Sequence, residues 1–205
     1  MTIVYKLANK LYLNITNQCS CDCLFCIRQN QNGVGDATSL WLLHEPTLEE
    51  INVAVAKALP VNLDVDEIVF CGYGEPMIRA DVVIAVTEYI RNLASLYEKP
   101  ALLVRVNTNG LVFLMHPGFD VKTLSIVDTV SISLNADDAK EYARVARPVY
   151  GEEAFGALLD FVQAAKAYTK VVLSVVEGTL SDARLANCKK IAEGLDVPLR
   201  LRPAE

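Results

Sequence analysis

Four cysteines, Cys19, Cys21, Cys23 and Cys26, fall within eight residues in the stretch Asn14-Ile-Thr-Asn-Gln-Cys-Ser-Cys-Asp-Cys-Leu-Phe-Cys-Ile-Arg28. Thiolates are soft ligands that suit iron–sulfur clusters and zinc. Choosing Cys19, Cys23 and Cys26 gives the spacing Cys-x3-Cys-x2-Cys. Electron-transfer clusters usually take four cysteines, so a set of three leaves one metal position open, as catalytic metal sites do. The competing reading is a closed zinc site with Cys21 or Cys71 as the fourth ligand, and spacing alone leaves both open. A second stretch, Phe70-Cys-Gly-Tyr-Gly-Glu-Pro76, sets two glycines where a backbone can approach a ligand closely and adopt positive φ. An ordinary glycine turn before a helix would read the same way.

These residues need a scaffold. The 205 residues suffice for one domain with a substantial core, expected to span 1–205. The formal charge of −6 argues against a surface given over to nucleic acid. No apolar run approaches the length of a membrane span, and lysines and asparagines interrupt MTIVYKLANKLYLNI before a signal-peptide core could form. The expected location is cytoplasmic, where thiols stay reduced, so six cysteines suggest metal or redox chemistry in place of disulfides.

Short runs rich in Val, Ile and Leu recur at 11–16, 67–71, 101–107, 129–135, 171–176 and 197–202, as strands of a covered parallel sheet do. Helical stretches separate them. Thr47 and Glu50 form a capping-box signature before Ile51 and Val55, with a stop at Leu59-Pro60. Asp81 is positioned to cap a second helix that puts Val83, Val86 and Ile90 on one face and closes at Pro100. A short turn is expected at 120–126, a helix over 152–168 with Phe155, Leu159 and Val162 in a stripe, and a last helix capped by Ser181 with Cys188 in its core face. Alternating strands and helices predict an α/β fold, either a doubly wound sheet or an open barrel. Alternation within the strands favours the barrel. Leu11, Leu13, Val104, Val106, Val130 and Ile132 share one face, while Tyr12, Asn14, Arg105, Asn107, Ser131 and Ser133 share the other. A polar inner face predicts a wet cavity, unlike the aliphatic filling of a closed eight-stranded barrel.

In combination, these motifs resemble the radical S-adenosylmethionine (SAM) superfamily. The cysteine triplet matches its CxxxCxxC, Gly72-Tyr-Gly-Glu-Pro76 matches its GGEP motif with Tyr73 replacing a glycine, and Asn107-Thr-Asn-Gly110 matches the TNG that ends strand three. The overall wording is most similar to the TatD-family-associated radical SAM proteins. The resemblance implies a single-domain radical SAM-type (β/α)6 partial barrel. It implies that Cys19, Cys23 and Cys26 hold a [4Fe–4S] cluster whose fourth iron is met by SAM. Phe25, the backbone of Gly72, Tyr73 and Gly74, and Glu75, Asn107, Ser131, Ser133 and Asn135 are then the expected SAM contacts. The implied reaction is reductive cleavage of SAM to a 5′-deoxyadenosyl radical that abstracts hydrogen from substrate. An electron donor such as a flavodoxin or ferredoxin is the implied partner, and the subgroup's name suggests a TatD-like metal hydrolase. Auxiliary clusters are not expected, because no cysteine follows Cys188 in these residues.

Cys21 fits no ligand position of that pattern and is expected to be a bystander. Arg28, Arg105, Arg147, Tyr150, Arg200 and Arg202 are candidate substrate contacts, suggesting phosphate or carboxylate groups. The bland reading of each arginine is a salt bridge with one of the 25 acidic residues. The polar stretch from Arg28 to Pro46 is expected to cover the open mouth. Two other functions remain beside the first: an activase that makes a radical on a partner protein, and a zinc-binding interaction module without catalysis.

Overall fold

The computed structural model describes residues 1–29, 32–99 and 101–203. In chain order the strands and helices are β1 (Val4–Leu7), β2 (Lys10–Leu13), α1 (Leu48–Ala58), β3 (Glu67–Phe70), α2 (Ala80–Leu96), β4 (Leu103–Thr108), α3 (Val112–Met115), β5 (Thr129–Ser133), α4 (Ala139–Ala146), α5 (Glu153–Ala165), β6 (Lys170–Val176), α6 (Asp182–Gly194) and β7 (Leu199–Arg202). The six anticipated strands are β2 to β7, and they form one sheet in sequence order, all parallel. β1 adds an antiparallel edge through a tight turn at Ala8-Asn9, with Ala8 at φ 53°. The periodicity missed this strand because it is four residues long and Lys6 interrupts its apolar pattern.

The alternation holds in three dimensions. Leu11, Leu13, Ile68, Phe70, Val104, Val106, Val130, Ile132, Val171 and Leu173 are buried in the main core beneath the helices. Tyr5 and Tyr12 from one sheet edge line a cavity together with Arg200 and Arg202 from the other. Two edges can share a cavity only if the sheet curls, so the domain is an open α/β barrel with a polar interior.

Helix ends explain several boundaries. At α1 the Thr47 hydroxyl accepts from the Glu50 amide at 3.1 Å, and the Glu50 carboxylate accepts from the Thr47 amide at 2.8 Å. Such a cap contributes about 1 kcal/mol. Asp81 does not cap α2 as expected; it lies in the first turn. A 3-10 turn over Pro76–Arg79, capped by Glu75, runs straight into that helix, so its true start is tied to the glycine motif. Pro100 lies outside the described residues. The 120–126 turn is a 3-10 helix, Val121–Ile126, capped by Asp120. In α5 the deepest residues are Leu158, Phe161 and Val162, with Leu159 only half-buried. Ser181 caps α6 and Cys188 is fully buried. The amphipathic helix α4, capped by Asp138, was not anticipated; it buries Tyr142, Val145 and Ala146.

Candidate active site

The cysteines occupy the loop that leaves the C-terminal end of β2, the end where parallel sheets gather their chemistry. Hydrogen bonds strap this loop to the end of α4: Asp22 N donates to Ala146 O at 3.1 Å, Leu24 N to Val145 O at 2.9 Å, and Val149 N to Ser20 O at 3.0 Å. Cys21 forms an isolated bridge with Pro148. The loop therefore depends on a helix 120 residues further on.

The glycine motif leaves the end of β3 and packs against the cysteine loop backbone to backbone. Glu75 N donates to Gln18 O at 2.7 Å. A Cβ at Gly74 would stand 2.3 Å from Thr16 O and 2.6 Å from Gln18 O, and one at Gly72 would stand 2.1 Å from Asn14 Oδ1. Neither glycine has positive φ. This corrects the expectation from sequence: they are glycines for close approach, and left-handed backbone is not the reason. Tyr73 also keeps negative φ. Its side chain turns away into a small cluster with Tyr5 and Leu40, edge-on to Trp41 with ring centroids 5.0 Å apart. A tyrosine can therefore replace glycine here without backbone strain.

Glu75 is buried and braces this junction. Its carboxylate accepts from Met77 N at 2.9 Å and from Asn109 N at 2.7 Å. Burial first, then the charge of the neighbouring Cys19 thiolate, push its carboxyl up to about 8, against the pull of those amides. Asn109, just beyond β4, completes the brace. Its Nδ2 donates to Ser20 Oγ at 2.9 Å and to Cys21 Sγ at 3.5 Å. Asn109 thus links three loops, a role that only the TNG wording could have signalled.

One cavity of about 190 Å³ collects these parts. Cys19, Cys23 and Cys26 line it with Phe25, Cys71 and the 72–75 motif. Asn107, Ser131, Ser133 and Asn135 line it too, as do Ser174, Val176 and Tyr142. Val175, beside Val176 on β6, lies in the apolar core. The Oδ1 atoms of Asn107 and Asn135 are buried without a hydrogen-bond partner. Asn135 sits at φ 51°, the left-handed conformation that asparagine tolerates.

The thiols are electrostatically distinct. Cys19 is lowered to about 6, first by the Cys21 thiol and then by the Cys21 amide, Arg28 and Asn109. The Cys21 thiol also lowers Cys23, with help from Arg28. Burial raises Cys26, and Cys21 itself is strongly raised by facing Cys19 and Cys23. Cys21 is a buried neighbour of Cys19 and Cys23. Among the described residues no three His, Cys, Asp or Glu side chains gather tightly enough to hold a single metal ion.

Of the candidate substrate contacts, Arg105, Arg200 and Arg202 line an adjoining cavity together. The others lie elsewhere. Arg28 reaches Cys21 O at 3.3 Å and Asp22 at 3.4 Å, Arg147 stands 3.9 Å from Asp22, and Tyr150 donates to Leu114 O at 3.4 Å. Asp22 balances both arginines, so the salt-bridge reading describes them. The segment after the cluster loop packs on the β1–β2 edge, with Asn14 Nδ2 donating to Leu40 O at 2.6 Å and Asn17 Nδ2 to Leu42 O at 2.7 Å. Asn30 and Gln31 lie outside the described residues.

The model of the radical SAM superfamily matches residues 13–185. The chain belongs to that superfamily. Its members use a [4Fe–4S] cluster and SAM. No curated protein matches the chain in sequence. Among solved structures it is similar to Streptococcus suis SuiB bound to the precursor peptide SuiA, at 13% identity and a TM-score of 0.70, covering 98% of this chain and 40% of that one. It is similar to anSMEcpe with bound AdoMet, at 16% identity and a TM-score of 0.63, covering 95% and 50%. It is also similar to TYW1 with a lysine-pyruvate adduct bound, at 17% identity and a TM-score of 0.57, covering 96% and 65%. The chain thus spans 40 to 65% of the length of these structures, and the likeness is one of fold. The radical SAM barrel expected from the motifs is the fold found. Among the described residues no helix is long and apolar enough to cross a membrane.

The residues present fit the family's cofactors. Three thiols of one loop face a shared cavity, a soft donor set suited to iron. Residues 72–75 line the same cavity, and the orphaned oxygens of Asn107 and Asn135 supply polar groups of the kind a nucleoside and an amino acid group require.

Proposed function

We propose that this domain is the catalytic core of a radical SAM enzyme acting on a small substrate held in the barrel. The observation that carries the reading is the convergence of Cys19, Cys23, Cys26, the 72–75 backbone and the unpartnered Asn107 and Asn135 on one cavity. Cys19, Cys23 and Cys26 would hold three irons and leave the fourth for SAM. When bound there, the cluster and SAM would supply one-electron chemistry able to take a hydrogen atom from substrate.

The chain's own residues do the positioning. Phe25 stands between the last two cysteines and offers an apolar face to adenine. The 72–75 backbone receives the methionyl end, and Glu75 holds that backbone against the cysteine loop through the Met77 and Asn109 amides. Asn107, Ser131, Ser133 and Asn135 receive ribose and carboxylate groups. The low value of Cys19 keeps that sulfur in the thiolate form that ligates metal.

A flavodoxin or ferredoxin is the proposed electron donor. The motif wording supports a reading among the TatD-family-associated proteins, with a TatD-like hydrolase as a proposed partner. The test is anaerobic reconstitution with iron and sulfide, followed by dithionite and SAM, with 5′-deoxyadenosine as the readout. Its formation, lost in Cys23→Ala, supports the reading. Tight zinc binding with no cluster formed would overturn it and favour the interaction module.

A further inference from the structure

Below the cysteine loop the barrel interior carries more positive charge than it balances. Lys10 and Arg105 share the single carboxylate of Glu67, at 2.5 and 3.1 Å. Arg105 is only 6% exposed. Arg200 and Arg202, on consecutive inward positions of β7, form no ion pair with a described residue. The Nε atoms of Arg105 and Arg202 are buried with no hydrogen-bond partner. Partial burial, then repulsion from Arg105 and Arg202, hold the Arg200 guanidinium below its ordinary value, so the three groups act on one another.

Four cations around one carboxylate leave a surplus of three positive charges. Arg105 is buried, Arg202 half-buried and Arg200 exposed, so the cations line a pocket that an anion can enter from solvent. At the buried and half-buried guanidiniums a counter-anion offsets the cost of lost hydration. Guanidinium forks match the oxygens of phosphate and carboxylate alike. The surplus exceeds the charge of one carboxylate, whereas a phosphate monoester carries about 1.5 to 2 negative charges near neutral pH.

This basic pocket is not isolated. It meets the cluster cavity at Ile27, Cys71, Asn107 and Arg202, which line both. Tyr5 and Tyr12, stacked with centroids 5.1 Å apart, form its wall on the β1–β2 side. We propose that Arg105, Arg200 and Arg202 form the phosphate-binding end of the substrate site, so that the substrate is a small phosphate monoester. Its uncharged part reaches through the neck at Cys71 and Asn107 toward the cofactors. The fate of that substrate rests on the radical SAM reading above; the binding of its phosphate does not.

The test is calorimetric titration of the anaerobically reconstituted full chain with methyl phosphate, at constant ionic strength, beside acetate and succinate. Iron and sulfide are counted on the same samples. Methyl phosphate is expected to bind at one site, more tightly as pH rises from about 5 to about 7 and the second phosphate proton leaves. The double variant Arg200→Gln/Arg202→Gln should bind at least about tenfold more weakly, the loss expected for hydrogen bonds between charged groups. Arg202→Lys keeps the charge but loses the fork, and should fall between the two. Circular dichroism checks that each variant folds. Equal binding by the double variant, no binding by folded wild-type protein, or succinate binding more tightly than methyl phosphate would each overturn the proposal. Phosphate binding without iron would sink the radical reading and keep this site; iron without phosphate binding would do the reverse.

Discussion

At the upper end of the barrel the cysteine loop, the glycine motif and Asn109 hold one another mainly through backbone groups, with Glu75 N on Gln18 O at 2.7 Å and Asn109 N on Glu75 at 2.7 Å. At the lower end charged side chains from β2, β3, β4 and β7 meet around Glu67. The upper end is shaped by short-range geometry, so small changes in side-chain volume matter there. The lower end is shaped by charge, so changes in charge matter more than changes in size. A site that must hold a cofactor in fixed orientation calls for the first design. A site that must draw in an anion calls for the second.

Substitutions at the two ends can break or sharpen this contrast. Cys23→Ala should have the largest effect. It is expected to abolish cluster formation, read as iron content and visible absorbance, while methyl phosphate still binds below; loss of both together would show that the two ends form one unit. Glu67→Gln comes next. It leaves Lys10 and Arg105 without their shared carboxylate, and removing one partner of a buried pair costs about 3–5 kcal/mol. Urea unfolding should show that loss, and phosphate binding should tighten in compensation. No destabilisation would mean that the lower end is better hydrated than its burial implies.

Glu75→Ala tests the upper end. It orphans the amides of Met77 and Asn109, at about 1–3 kcal/mol each. Stability in urea should fall accordingly, and SAM affinity should fall with it, because the 72–75 backbone loses its brace. Cys21→Ala should have the smallest effect on metal content, leaving iron per chain unchanged. Its signature should be chemical: without the neighbouring thiol, Cys19 and Cys23 in the cluster-free protein should react with a thiol-specific reagent only at higher pH. A drop in iron would make Cys21 part of the ligand set.

The contrast also sets what could be read before the fold was known. The upper end was legible because its residues lie close together along the chain. Cys19, Cys23 and Cys26 share one loop, and residues 72–75 share another, so spacing carries the geometry. The strands from β2 to β7 were legible through alternation, since burial under helices selects Leu11, Ile68, Val104 and Val130 on one face. Three features were not legible. β1 is too short and too polar for periodicity to find, although it supplies Tyr5 to the basic pocket. The α4 segment is short and polar on average, so its apolar face of Tyr142, Val145 and Ala146 is easily passed over, yet it straps down the cysteine loop through Val145 and Ala146. The start of α2 is set by Glu75 and Pro76, while Asp81 looked like the better cap.

The chain's local chemistry thus specified the type of each element, the thiol donor set and the glycine approach, because propensity, capping and spacing act over a few residues. Only the folded sheet decided which arginines meet. Arg28 and Arg147 share Asp22 on the surface, while Arg105 and Arg200, 95 positions apart, line one pocket because the sheet curls until its two edges share an interior. Curl and register are collective properties of seven strands, and no window of sequence contains them.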